Sequence, residues 1–194
     1  MGALRLSLAA FVLADATLAA DLPYANAVAA RFAEPAVRYD TPGLRSGSDD
    51  FTPNDELPAE LHTLAAAPKG PRRVLAGRSQ AGLATEALHF STAAGRPAVL
   101  LVGQQHGDEP AGAKALLALA QQLASAELAL LLPQQIDVIV LPRANPDGAK
   151  LGQRRSAGGL DINRDHLLLR TPEAQAQSFL VREFKPVVAP EALP

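Results

Sequence analysis

Two short apolar runs limit what this chain can become. Ala98-Val99-Leu100-Leu101-Val102 and Ile136-Asp137-Val138-Ile139-Val140-Leu141 are too short for ordinary helices and rich in aliphatic residues. Runs of this kind belong to strands covered on both faces of a sheet. The segment between them carries Leu116, Leu119 and Leu123 at helical spacing, with Pro110 at a first-turn position, and predicts a helix reaching to about Glu127. A strand, a helix and a second strand define an α/β layered domain. In such sheets ligands gather beyond the carboxyl ends of the strands.

The segments that leave those two ends are polar and glycine-rich. The first reads Gly103-Gln104-Gln105-His106-Gly107-Asp108-Glu109, the second Pro142-Arg143-Ala144-Asn145-Pro146-Asp147-Gly148. A long polar loop is expected from Pro142 to Arg170. Around this centre, Asp55–Ala67 predicts a short helix through Leu57, Leu61 and Leu64. Val74–Ala76 and Ala84–Thr92 predict strands joined at Gly77-Arg78-Ser79-Gln80-Ala81-Gly82. Thr171-Pro172-Glu173 opens a helix that reaches Phe184, with an N-cap, a proline and an acid in sequence. Pro186-Val187-Val188 predicts the beginning of a further strand.

Totals exclude several functions. The chain has 194 residues, enough for one sizeable core, and a formal net charge of −2, which gives no general attraction to nucleic acid. There is no cysteine, so a metal here must be held by histidine and carboxylate. Residues 1–20 read as a secretory signal: Arg5 precedes an apolar, alanine-rich stretch with small residues at Ala14, Ala16, Ala19 and Ala20, interrupted by Asp15. No later segment has the length and purity of a membrane span. Residues 21–54, with four prolines and the run Ser46-Gly47-Ser48-Asp49-Asp50, form an irregular leader to a domain over 55–194.

His106 and Glu109 stand three residues apart at a strand-to-helix turn, where an imidazole and a carboxylate can converge. Zinc accepts both donors. The second polar segment continues through Arg154 and Arg155 to Asp161-Ile162-Asn163-Arg164. Arginine offers a planar cationic fork for a carboxylate and asparagine a neutral donor. A helix N-terminus decorated with acids, and arginines that simply face water, are the bland alternatives to both readings.

Taken in order, these segments resemble the zinc carboxypeptidase family, the carboxypeptidase A-type metallopeptidases. Gly77–Gly82 is similar to the family's turn ahead of its second strand, and His106-Gly107-Asp108-Glu109 to its first two zinc ligands. Asn145-Pro146-Asp147-Gly148 through Arg154 to Asn163-Arg164 is similar to its substrate-binding stretch. The resemblance implies a mixed sheet flanked by helices on both faces. It implies one zinc ion (Zn2+) held by His106 and Glu109, with Arg154, rather than Arg155, on the scissile carbonyl. Asn163 and Arg164 would hold the carboxylate of a peptide or other small carboxylate-bearing substrate. The reaction implied is hydrolysis of a C-terminal peptide bond by zinc-activated water, in a periplasmic or secreted protein.

The sequence departs from the family at three places. Asp108 stands where pancreatic-type members carry arginine. A third zinc-ligating histidine is expected near Leu193 and is not there; His166 lies on the substrate loop, and His62 and His89 fall on a helix and a strand. The family's catalytic glutamate and capping tyrosine are expected beyond Pro194, so the domain is expected to be incomplete at its C-terminus. Two other functions stay open: an N-acyl amino acid amidohydrolase of the succinylglutamate desuccinylase and aspartoacylase type, and a non-catalytic carboxylate-binding module.

Overall fold

The computed structural model describes residue 41 and residues 52–68, 70–125, 133 and 135–187. All belong to one compact unit, Tyr39–Pro194. The expected signal segment and most of the leader lie outside the described residues, as does Val188 in the last expected strand.

Helix α1 spans Glu56–Ala66 and is followed by the antiparallel pair β1 (Arg72–Arg78) and β2 (Ala84–Phe90). Strand β3 (Ala98–Val102) leads into helix α2 (Ala111–Ser125), which returns the chain to β4 (Asp137–Leu141). Strands β3 and β4 are parallel neighbours, as a helical crossover requires. Strand β4 also pairs antiparallel with β2, giving a mixed sheet in the order β1-β2-β4-β3. A short helix α3 (Pro146–Leu151), a 3-10 turn (Ile162–Arg164) and helix α4 (Pro172–Phe184) complete the elements of the described residues.

Alternation along the strands sorts the core into two layers. Leu88, Phe90, Val138 and Val140 face one side, where they meet Leu57, Leu61 and Leu64 of α1 and Leu116, Leu117 and Leu123 of α2. Ala87, Ile139, Leu141, Leu100 and Val102 face the other, against Leu180 of α4. The sheet therefore carries helices on both faces, as expected. Helix α4 lies so close to β1 that a Cβ on Gly77 would stand 3.0 Å from the Cβ of Ala176. The strand bulges there, its register with β2 shifting between Leu75 and Gly77.

The long polar loop expected from Pro142 to Arg170 is corrected by the structure. It contains α3 and the 3-10 turn. Asn145 caps α3 by accepting the Gly148 amide at 2.8 Å, Pro146 takes the first position, and Gly152 ends the helix at φ 60°. The motif reads as a turn because six residues with an internal glycine have little intrinsic helicity. Its caps and its burial hold it instead. Past α4, the Val187 amide donates to the Ala98 carbonyl at 2.8 Å, which brings the chain alongside the start of β3.

Helix α4 is tied to the β1–β2 turn by a fully buried carboxyl, Glu173, whose Oε1 accepts the Gln80 amide at 3.1 Å. Its Oε2 has no hydrogen-bond partner among the described residues. Burial pushes the Glu173 pKa up, repulsion from Asp147 and Asp165 adds to that, and the Glu173 and Gln80 amides offset it only in part. A raised carboxyl pKa contributes stability that is present below the unfolded value of 4.5 and is lost as pH rises through the folded value. Glu173→Gln is therefore expected to stabilise the protein by about 1 kcal/mol at neutral pH, with the gain vanishing toward pH 4. Urea midpoints at several pH values check this; a pH-independent loss would contradict it.

Candidate metal and substrate site

The loops that leave β3 and β4 are joined backbone to backbone. The Gly103 amide donates to Leu141 O at 2.8 Å, Ala144 to Gly103 O at 2.9 Å, and Asn145 to Gln104 O at 3.1 Å. Farther along, the Gly107 amide donates to Arg154 O at 3.4 Å, and the Asn145 side chain donates to the same carbonyl at 3.2 Å. The two polar segments thus form one platform beyond the sheet.

His106 is the centre of a small cluster on this platform. Its side chain is 7% exposed, and Nδ1 lies 2.9 Å from Glu109 Oε2. On its other side Nε2 lies 3.3 Å from Asp161 Oδ1, though out of hydrogen-bonding alignment. Arg154 stands across both carboxylates: Nε and one terminal nitrogen lie 3.2 Å from Asp161 Oδ2, the other terminal nitrogen 3.5 Å from Glu109 Oε1. Its side chain is 43% exposed, so these long contacts are screened and hold it weakly. Burial opposes ionisation of Asp161. The Arg154 hydrogen bond and charge, His106 and the Asn163 amide outweigh burial and keep its pKa below the ordinary value.

His106, Glu109 and Arg154 are therefore brought together, while Asn163 and Arg164 sit on the adjoining 3-10 turn. Asp161 caps that turn through the Asn163 amide at 3.0 Å, and Arg164 is exposed and donates to Asn163 O at 2.9 Å. Asn163 and His166 line a cavity of about 470 Å³ with Gln105, Leu169 and Gln177. Arg155 turns away and donates to Gly159 O at 2.9 Å. His62 pairs with Arg73 at 3.0 Å, and His89 with Asp137 at 3.1 Å against the Phe184 ring. Neither lies in the cluster. Asp161 is the residue sequence reading passed over: an Asp two positions before Asn163 looks like one more loop acid, and only the fold sets it on the back of His106.

The donor set fits two of the three ligands a catalytic zinc requires. Imidazole Nδ1 and the Glu109 carboxylate converge, and Asp161 Oδ1 stands 3.3 Å from the opposite ring nitrogen without a hydrogen bond to it. Among the described residues, no group of three or more His, Asp or Glu is arranged to hold a metal ion.

The zinc carboxypeptidase family model matches residues 59–184, nearly the whole described region. The chain belongs to the zinc carboxypeptidase family. It is 41% identical over 92 residues to Carboxypeptidase 2 of Trichophyton tonsurans, a match covering 47% of this chain and 17% of that one. With Carboxypeptidase SOL1 of Arabidopsis thaliana the identity is 32% over 103 residues, covering 46% and 21%. The fold is similar to a metallo-carboxypeptidase from Burkholderia cenocepacia, with TM-score 0.64, 22% identity, and coverage of 71% of this chain and 40% of that one. A metallo-carboxypeptidase from Pseudomonas aeruginosa, in complex with (2-guanidinoethylmercapto)succinic acid, gives TM-score 0.63, 25% identity, and coverage of 70% and 38%. The match thus spans about a fifth of the length of the curated relatives.

Gly107 is the tightest point of the platform. A Cβ there would stand 2.0 Å from Gly148 C, 2.3 Å from Ala149 N and 2.5 Å from Gln153 O, all backbone atoms that cannot swing aside. Gly107→Ala is expected to destabilise the chain by about 2–3 kcal/mol or more, read as a lowered urea midpoint. A neutral result would mean the two loops do not interlock as described.

Proposed function

We propose that this chain supplies the first zinc ligands and the substrate-carboxylate loop of a metallocarboxypeptidase that hydrolyses C-terminal peptide bonds. The observation that carries the reading is the convergence of His106 Nδ1 and Glu109 at 2.9 Å with Arg154 beside them, on a domain of the zinc carboxypeptidase family. His106 and Glu109 would hold the ion, which when bound supplies Lewis acidity and a water of lowered pKa. Asp161, 3.3 Å from Nε2, would need only a small shift to accept that ring N–H, which would set the tautomer with Nδ1 available to ligate. Arg154, permanently charged and weakly held, can exchange its carboxylate contacts for a developing oxyanion. Asn163 and Arg164 would receive the substrate's terminal carboxylate through charge-assisted hydrogen bonds.

The metallo-carboxypeptidase from Pseudomonas aeruginosa is found in complex with a substituted succinic acid, and a carboxylate ligand on a protein of similar fold supports the carboxylate reading here. The signal-like first twenty residues support export to the periplasm or the exterior. Among the described residues no helix is long and apolar enough to cross a membrane.

Metal content after dialysis against zinc-free buffer tests the reading, with His106→Ala as control. Wild-type protein is expected to retain more zinc than the control, with affinity below that of a three-ligand site if no further ligand joins. Equal zinc in both proteins would sink the reading.

A further inference from the structure

Gln104 is a non-glycine residue held at φ 48°, in the left-handed region where side chains other than Asn and Asp are uncommon. It sits two residues before His106 and is 6% exposed. Strained backbone of this kind persists only where surrounding contacts over-determine it. Here they do. Gln104 Oε1 accepts from Arg143 Nε at 2.7 Å, its Nε2 donates to Gly107 O at 2.9 Å, and its own carbonyl accepts the Asn145 amide at 3.1 Å.

Arg143 is itself 3% exposed, and no carboxylate pairs with it among the described residues. Its terminal nitrogens donate to the Asn54 side chain and to Thr52 O. Burial lowers its pKa to about 10, so it remains a cation at neutral pH, and its acceptors among the described residues are neutral. A buried charge held this way is costly, and stability alone is a poor reason to keep it. Its chemistry offers a better one. A guanidinium can only donate, so it forces the Gln104 amide oxygen toward itself. The amide N–H then necessarily faces the Gly107 carbonyl, inside the His106–Glu109 turn.

We propose that Arg143 and Gln104 are positioning residues that fix the metal-ligand turn, Arg143 setting the Gln104 amide and Gln104 holding Gly107. The inference rests on the zinc-site reading above and extends it to two residues outside the proposed ligand pair. Anchored through Asn54 and Thr52, the pair ties the turn to the segment entering α1.

Gln104→Glu isolates the proposal. It keeps an acceptor for Arg143, now as an ion pair, but replaces the donor to Gly107 with a carboxylate oxygen. Amide hydrogen exchange on the whole purified chain is the first readout. Gly107 and Glu109 are expected to exchange about tenfold faster in the variant, while Ile139 and Val140 in β4 stay within about twofold of wild type. Zinc affinity, by competition with a chromogenic chelator, is expected to fall about tenfold without a matching fall in the urea midpoint. Arg143→Lys, which keeps the charge but cannot bridge three acceptors, is expected to move the same two amides. Unchanged exchange at Gly107 and Glu109, or an equal rise throughout β4, overturns the proposal whatever the zinc result. Wild-type protein retaining no more zinc than His106→Ala, with the two amides still loosened by Gln104→Glu, overturns the zinc reading and supports the relay.

Discussion

Everything proposed for this chain depends on the contact between two loops that leave neighbouring parallel strands. Strands β3 and β4 end side by side, and their hydrogen bonding continues past the sheet from Gly103 to Leu141 and Ala144 and from Gln104 to Asn145. Gly107 then lies directly against the backbone of Gly148 and Ala149. Two segments that are far apart in sequence become one surface at that point. The parallel pair makes this possible, because parallel neighbours deliver both loops to the same edge of the sheet.

The cluster on that surface shows a division of labour by burial. His106 is nearly enclosed and has a carboxylate on each side. Arg154 is half exposed and shared between those carboxylates over long distances. A buried, doubly flanked imidazole is a fixed part, whereas a solvent-screened arginine is a movable one. Arg143 is the counterpart inside the fold: a buried cation bound to neutral acceptors among the described residues, and tied to the His106–Glu109 turn through one glutamine.

Much of this was legible in the sequence, for identifiable reasons. The apolar runs at Ala98–Val102 and Ile136–Leu141 marked the strands because burial on both faces leaves no polar alternation to blur them. His106, Glu109 and Arg154 could be picked out only through the ordered resemblance to the zinc carboxypeptidase family; the structure brings the three side chains together, and their roles are proposed. The short helix at Pro146–Leu151 was not legible: local propensity opposes it, and its support comes from Asn145 and from packing against Gly107. Asp161, Gln104 and Arg143 were missed for a related reason. Each acts through a partner tens of residues away, so nothing in its own neighbourhood distinguishes it from an ordinary polar loop residue.

The central claim is that His106 offers Nδ1 to a metal and, when it does, donates its Nε2–H to the neighbouring Asp161, which stands 3.3 Å away. Long-range nitrogen–proton spectra of the His106 ring, followed as zinc is added, test it most directly. The predicted result is a large shift at Nδ1 together with a proton fixed on Nε2. A zinc-insensitive ring, or metal bound through Nε2 instead, would contradict it.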